Sequence, residues 1–268
     1  MDNRSKELRE LILMGLENGN RGHIGPSMSL VEILRVLYDD ILRFNPKKPN
    51  WDKRDRFILS KGHGCLALYA TLIDKGFIKK NELKKFCKFD SILGGHPEYH
   101  KIKGVEASTG SLGHGFPIAV GMAIAAKIKK TSNKIIAITG DGEMNEGSNW
   151  EAAMTASKHK LSNLTLIIDY NKIQSYGYTK DVLDLEPLKM KLISFGFACN
   201  EVDGHNIQQL KKTFLKLPFD TNKPSAVICH TIKGKGIMYA EGKPEWHHKS
   251  KISKDDIKKM YESLKNYN

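Results

Sequence analysis

The sequence predicts an α/β fold, a parallel central sheet with helices on both faces. Three observations carry this. Five short apolar runs, at 56–59, 135–139, 164–169, 197–202 and 226–229, have the length and composition of strands. The runs are nearly continuous in apolar residues and do not alternate, as expected of strands buried on both faces. Stretches of helical period separate most of them, so successive strands run the same way through helical crossovers.

The elements follow in order. Glu7, Leu8, Leu11, Ile12, Met14 and Gly15 have the spacing of an amphipathic helix near the N-terminus. A second helix is expected from Ser29 to Leu37, opened by a capping box between Ser29 and Glu32. Further helices are expected over 116–130, 148–159, 185–195, 207–217 and 254–265. The tract 93–115, rich in Gly, Ser and His, reads as an active-site loop. No internal repeat or long linker divides the chain, so one domain spanning residues 1–268 is expected.

The strongest chemical signal is Gly140-Asp141-Gly142, set directly after the run Ile135 to Thr139. A lone Gly-Asp-Gly usually marks a turn. Here the second run, ending at Asp169, brings Asn171 and the carbonyl of Ile173 to the same carboxyl edge, one crossover later. A carboxylate, an amide oxygen and a carbonyl are hard ligands for Mg²⁺ or Ca²⁺ holding a diphosphate. The flanking glycines let backbone approach the phosphates closely. Together these features read as a thiamine diphosphate site.

Histidines in glycine-rich turns are the second signal: Gly22-His23-Ile24-Gly25, Lys61-Gly62-His63-Gly64, Gly94-Gly95-His96-Pro97 and Gly113-His114-Gly115, with the pair His247-His248 after Gly234-Lys235-Gly236. A solitary histidine beside glycine is usually a surface turn residue, but loops at the carboxyl edge of one sheet converge. Imidazoles gathered there bind hydroxyl and phosphate oxygens or move protons near neutral pH. No His pair has the i, i+4 spacing of a helical zinc site.

Composition narrows the alternatives. The net charge is +13 at pH 7, but the lysines are spread over many segments and mixed with Glu and Asp, as in Lys79-Lys80-Asn81-Glu82-Leu83-Lys84-Lys85. With no aromatic-interleaved basic stripe, the charge reads as a solvated surface that helps steer anionic sugar phosphates, and no nucleic-acid partner is expected. No apolar run reaches the roughly 18–20 residues of a membrane helix. The charged start is not that of a signal peptide. The four cysteines (Cys65, Cys87, Cys199, Cys229) are scattered, which suggests a reducing cytoplasm.

At this point a resemblance covers nearly the whole chain. The runs Gly22-His23-Ile24-Gly25, Asp55-Arg56-Phe57-Ile58-Leu59-Ser60-Lys61-Gly62-His63, Gly95-His96-Pro97-Glu98, Ser108-Thr109-Gly110-Ser111-Leu112-Gly113, Gly140-Asp141-Gly142-Glu143-Met144-Asn145-Glu146-Gly147 and Asn171-Lys172-Ile173 occur in family order. The chain resembles the N-terminal, diphosphate-binding half of a transketolase, with the thiamine diphosphate-binding fold. The resemblance implies that Asp141, Asn171 and the Ile173 carbonyl are metal ligands, with Gly142 beside the diphosphate and His63 touching it. It implies that Gly110 and Leu112 flank the rings of the cofactor, and that His23, His96 and His247 or His248 bind substrate hydroxyls and assist proton transfer, the Trp-His order favouring His247. Glu146, grouped with the cofactor-side residues, resembles a carboxylate at the dimer interface that links paired active sites.

Two departures from the family pattern stand out. His114 occupies a turn position where relatives often carry Gln, and it is given no catalytic role. The sequence stops at Asn268, before any pyrimidine-binding domain. The expectation is therefore a split transketolase, this chain acting with a separately encoded C-terminal subunit, in an α2β2 assembly, to transfer a two-carbon ketol unit between sugar phosphates. Two other readings stay open: a subunit of a 2-oxo-acid decarboxylating or 1-deoxy-xylulose-phosphate-forming enzyme, and a non-catalytic cofactor-binding subunit.

Overall fold

The computed structural model describes residues 1–267. Five strands, β1 (Arg56–Leu59), β2 (Ile135–Gly140), β3 (Leu164–Tyr170), β4 (Ala198–Asp203) and β5 (Ser225–His230), form one all-parallel sheet in the order β1-β2-β3-β5-β4. Ten α-helices complete the order: α1 (Asn3–Gly19), α2 (Ile24–Met28), α3 (Val31–Val36), α4 (Cys65–Asp74), α5 (Gly115–Ile128), α6 (Gly147–Lys158), α7 (Thr179–Val182), α8 (Leu188–Ser194), α9 (Ile207–Phe214) and α10 (Lys254–Lys265).

Alternation along the strands divides the core in two, because successive side chains leave a strand on opposite faces. Phe57, Leu59, Ile136, Ile138, Ile167 and Val227 meet the buried faces of α1, α3, α4, α9 and α10. Ile58, Ile135, Ala137, Leu164, Leu166 and Ile168 meet α5, α6 and α8. Every residue of β2 and β3 is buried, which explains their unbroken apolar reading.

The sheet order places the site. The chain lays down β1, β2 and β3 side by side, moves out to β4, and returns with β5 between β3 and β4. Register pairs Gly140 with Asp169 and Tyr170 with His230, so the strands of the sheet's centre end level. The loops after β1, β2, β3 and β5 thus open on one carboxyl edge.

Two local expectations are corrected. Ser29 does not cap a helix: it closes α2, and its hydroxyl donates to the Pro26 carbonyl and to Asp169 Oδ2 (2.6 Å). Glu32 is turned inward onto Arg9 and His205, so no capping box forms there. A reciprocal Ser–Asp box does exist, between Ser253 and Asp256 at the start of α10. The helix expected over 185–195 begins only at Leu188, because Pro187 lacks the N–H that would continue it backward.

Candidate active site

A cleft of about 650 Å³ lies at the carboxyl edge, lined by His23, Lys61, His63, His96, Gly110, Leu112, Asp141, Gly142, Glu146, Asn171, Ile173, Lys233 and His247. Every residue singled out from the sequence as a cofactor, metal or catalytic group is on that wall. Two histidines from the glycine turns are not. His114 is exposed, its Nδ1 3.0 Å from its own turn's Leu112 carbonyl. His248 faces an adjoining recess that also opens on His23 and His96.

At the inner end, Asp141 is buried directly after β2. One carboxylate oxygen accepts from the Gly142 N–H (2.8 Å) and the other from the Lys172 N–H. Lys172 can reach because its φ is +66°, a left-handed conformation uncommon for a side-chain-bearing residue. That twist also lets Asn171 and Ile173 bracket the turn, with Asn171 Oδ1 accepting from the Ile173 N–H (3.2 Å). The three expected metal ligands therefore sit on two consecutive loop starts.

Four residues to which the sequence assigns no role complete this end. Lys61, 1% exposed, pairs with fully buried Asp169 at 2.5 Å. Ser29 and Thr231 also donate to Asp169. Burial alone would raise this carboxyl, but Lys61 and the two hydroxyls hold it below the usual carboxylate range. Lys233 enters from the loop after β5 and places its ammonium 2.7 Å from both the Ile173 carbonyl and His247 Nδ1. Burial, then Lys61, pushes Lys233 down to about 7. Glu143 accepts from the Ser60 hydroxyl and from the Gly113 and Gly140 N–H groups, tying together the loop after β1, the approach to α5 and the end of β2.

The histidines form the outer end. His23 is central, its ring centroid 5.3 Å from His63, 5.9 Å from His96, 5.5 Å from His247 and 4.5 Å from His248. His63 and His247 stack at 5.4 Å. The His96 ring lies over Gly110, where an added Cβ would approach it to 3.1 Å. Burial, then the neighbouring cations and imidazoles, lowers His23 to about 3 and holds His63 and His247 far below their ordinary value. At neutral pH these rings are therefore uncharged, able both to donate and to accept hydrogen bonds.

The inner end fits a metal-bound diphosphate. Asp141 is raised to about 6 by burial and then by Asp169, so a cation beside it would relieve its burial. The Gln174 amide nitrogen is buried with no partner beside Gly142, a donor in want of an oxygen. Among the described residues no three His, Cys, Asp or Glu side chains gather as a metal site. The expected set needs only one carboxylate, the other two oxygens coming from an amide and the backbone.

Comparison with known proteins decides the family. The domain described as "Transketolase, thiamine diphosphate binding domain" matches residues 2–266. The chain belongs to the transketolase family. It is 44% identical to one of the separately encoded subunits of the apulose-4-phosphate transketolase of Actinobacillus succinogenes, over 96% of this chain and 92% of that protein. It is 39% identical to a 6-deoxy-6-sulfo-D-fructose transketolase subunit of a Clostridium species, over 92% and 90%. Among solved structures, the Campylobacter jejuni transketolase superposes with a TM-score of 0.90 at 34% identity, over 99% of this chain and 43% of that one. The Leishmania mexicana transketolase gives 0.90 at 29%, over 97% and 40%. The chain thus has the transketolase thiamine diphosphate-binding fold and spans less than half of the full-length enzymes.

Proposed function

We propose that this chain is the diphosphate-holding subunit of a two-chain transketolase, transferring a two-carbon ketol unit from a ketose phosphate to an aldose phosphate. The observation that carries the reading is one cleft in which a buried oxygen set (Asp141, Asn171, the Ile173 carbonyl), two buried lysines and a ring of neutral histidines adjoin. A diphosphate demands the first two features, and a polyhydroxylated substrate uses the third. The chain nearly covers relatives that are themselves named as single subunits of a transketolase, which supports a separately encoded partner carrying the pyrimidine-binding domain. The reading extends to Mg²⁺, or Ca²⁺, as the metal, an α2β2 assembly and a place in the cytoplasmic pentose phosphate pathway. Four free thiols agree with a reducing compartment, and no described helix is long and apolar enough to cross a membrane.

In this mechanism Asp141, Asn171 and the Ile173 carbonyl hold the metal. Lys61 and Lys233 balance the diphosphate charge, and Gly142 lets the backbone come close to it. Bound thiamine diphosphate supplies the carbon nucleophile that carries the two-carbon unit. His23, His96 and His247, neutral in the cleft, orient substrate hydroxyls and pass protons at their oxygens. Gly110 and Leu112 wall the space between the two ends, and Glu146, exposed at the cleft's rim, is available to a neighbouring subunit.

The test is reconstitution. The chain mixed with a pyrimidine-domain polypeptide, Mg²⁺ and thiamine diphosphate is expected to transfer ketol units from xylulose 5-phosphate and to leave pyruvate unused. Full ketol transfer by the chain alone would sink the two-chain reading, and turnover of pyruvate would move the site to another thiamine enzyme.

A further inference from the structure

Lys233 is gripped from the side of the molecule away from the cleft. On its N-terminal side, the Ile232 N–H donates to His205 Nε2 (2.8 Å), in the turn between β4 and α9. That ring nitrogen must then be bare, so the proton sits on Nδ1, which donates to Glu32 Oε2 of α3 (2.8 Å). On its C-terminal side, the Lys235 carbonyl accepts from Arg9 Nε of α1 (2.8 Å). The Arg9 guanidinium closes the circuit on both Glu32 oxygens, at 2.6 and 2.9 Å, and on the Met28 carbonyl at 2.9 Å. Arg9 is wholly buried and Glu32 3% exposed.

A buried ion pair contributes little net stability, since desolvation offsets most of its attraction. What this one does is fix geometry: three side chains from α1, α3 and the 203–206 turn hold the two backbone groups that bracket Lys233. Packing finishes the alignment. The Lys233 stem crosses Gly25, where an added Cβ would come within 2.7 Å of it, and Arg9 Cδ lies against Gly236. The lysine's reach to the Ile173 carbonyl and His247 depends on that loop's position.

We propose that the Glu32–Arg9–His205 brace is a positioning device for Lys233, setting the cation's place beside the diphosphate from outside the cleft. It rests on the reading of Lys233 as a cofactor-side cation. Removing Arg9 or Glu32 would strand a buried charge and unfold the corner, so His205 is the informative position.

The test is a double-mutant cycle on thiamine diphosphate affinity, read by calorimetry with Mg²⁺ on the chain together with its partner subunit. His205→Ala, or the more conservative His205→Asn should alanine not fold, is combined with Lys233→Met. Either single variant is expected to weaken binding about tenfold, the size typical of outer-shell losses. The double variant is expected to bind no more weakly than Lys233→Met, because His205 then has nothing left to position. An equal further loss in the Lys233→Met background, or no loss on changing His205 alone, would overturn the brace while leaving Lys233 intact as a cofactor contact. Unchanged affinity in Lys233→Met alone would remove the cation's role, and the brace with it.

Discussion

The two ends of the cleft are built on different physical terms. The inner end is made at strand termini: Asp141 follows β2 and Asn171 follows β3, and backbone N–H groups fix the carboxylate. Charges there are paired and dry, Lys61 on Asp169 above all. The outer end is made of imidazoles from four separate loops, held mainly by ring contacts with one another. One end is rigid and charged, suited to a ligand that stays. The other is neutral and assembled from loops, suited to substrates that come and go. Damage to the inner end should therefore cost stability and cofactor together, and damage to the outer end should cost turnover alone.

The largest effect should come from Lys61→Met. It leaves Asp169 buried with only two hydroxyl partners, a loss on the order of 3–5 kcal/mol. Thermal unfolding is expected about 10 °C lower, at roughly 2–4 °C per kcal/mol for a domain of this size. An unshifted melting curve would erase the contrast between the ends. Asp141→Ala should fold normally yet lower ketol transfer more than about 100-fold, or roughly 2.7 kcal/mol, with cofactor affinity falling in parallel. If turnover falls while affinity holds, the metal is not where this account puts it.

The pH response separates the ends next. His23 is held near 3 against an ordinary value of about 6.5, by burial first and then by its cationic neighbours. Its depressed value favours the neutral, folded form. That stability is full above about pH 6.5 and is lost as pH falls toward 3, the loss reaching about 2 kcal/mol at pH 5. Urea unfolding at pH 7.5 and pH 5 should show this loss in the native chain and a shallower one in His23→Asn; parallel slopes in the two proteins would refute it. The smallest effect belongs to His96→Ala, whose ring is half-exposed and carries no structural hydrogen bond: about tenfold in turnover, with cofactor affinity and melting temperature unchanged. A drop in melting temperature would make it a structural residue after all.

Much of this contrast was legible in the sequence, and unevenly. All five strands were visible because a buried parallel sheet writes itself as apolar runs, and the Gly-Asp-Gly turn gave the inner end its direction. The glycine turns betrayed the histidines, since loops on one sheet edge must converge. What stayed hidden was partnership. Lys61 stood in plain view beside His63, but among so many surface lysines nothing marked it as buried. Lys233 and Asp169 meet the site through contacts that cross the sheet, which no local spacing records. Ser29 and Glu32 had the spacing of a capping box, yet the stronger pull of Asp169 on one and Arg9 on the other overrode that local preference. Pro187 is a similar case: helical period extended past it, but the missing N–H set the boundary.

The central claim is that the loops after β2 and β3 hold thiamine diphosphate through a metal. Its most direct test is a calorimetric titration of the chain, with its partner subunit present, against thiamine diphosphate with Mg²⁺ and again with chelator. Saturable uptake that needs the metal and disappears in both Asp141→Ala and Asn171→Ala is the predicted result. Uptake of equal strength without metal, or undiminished in those two variants, would contradict it.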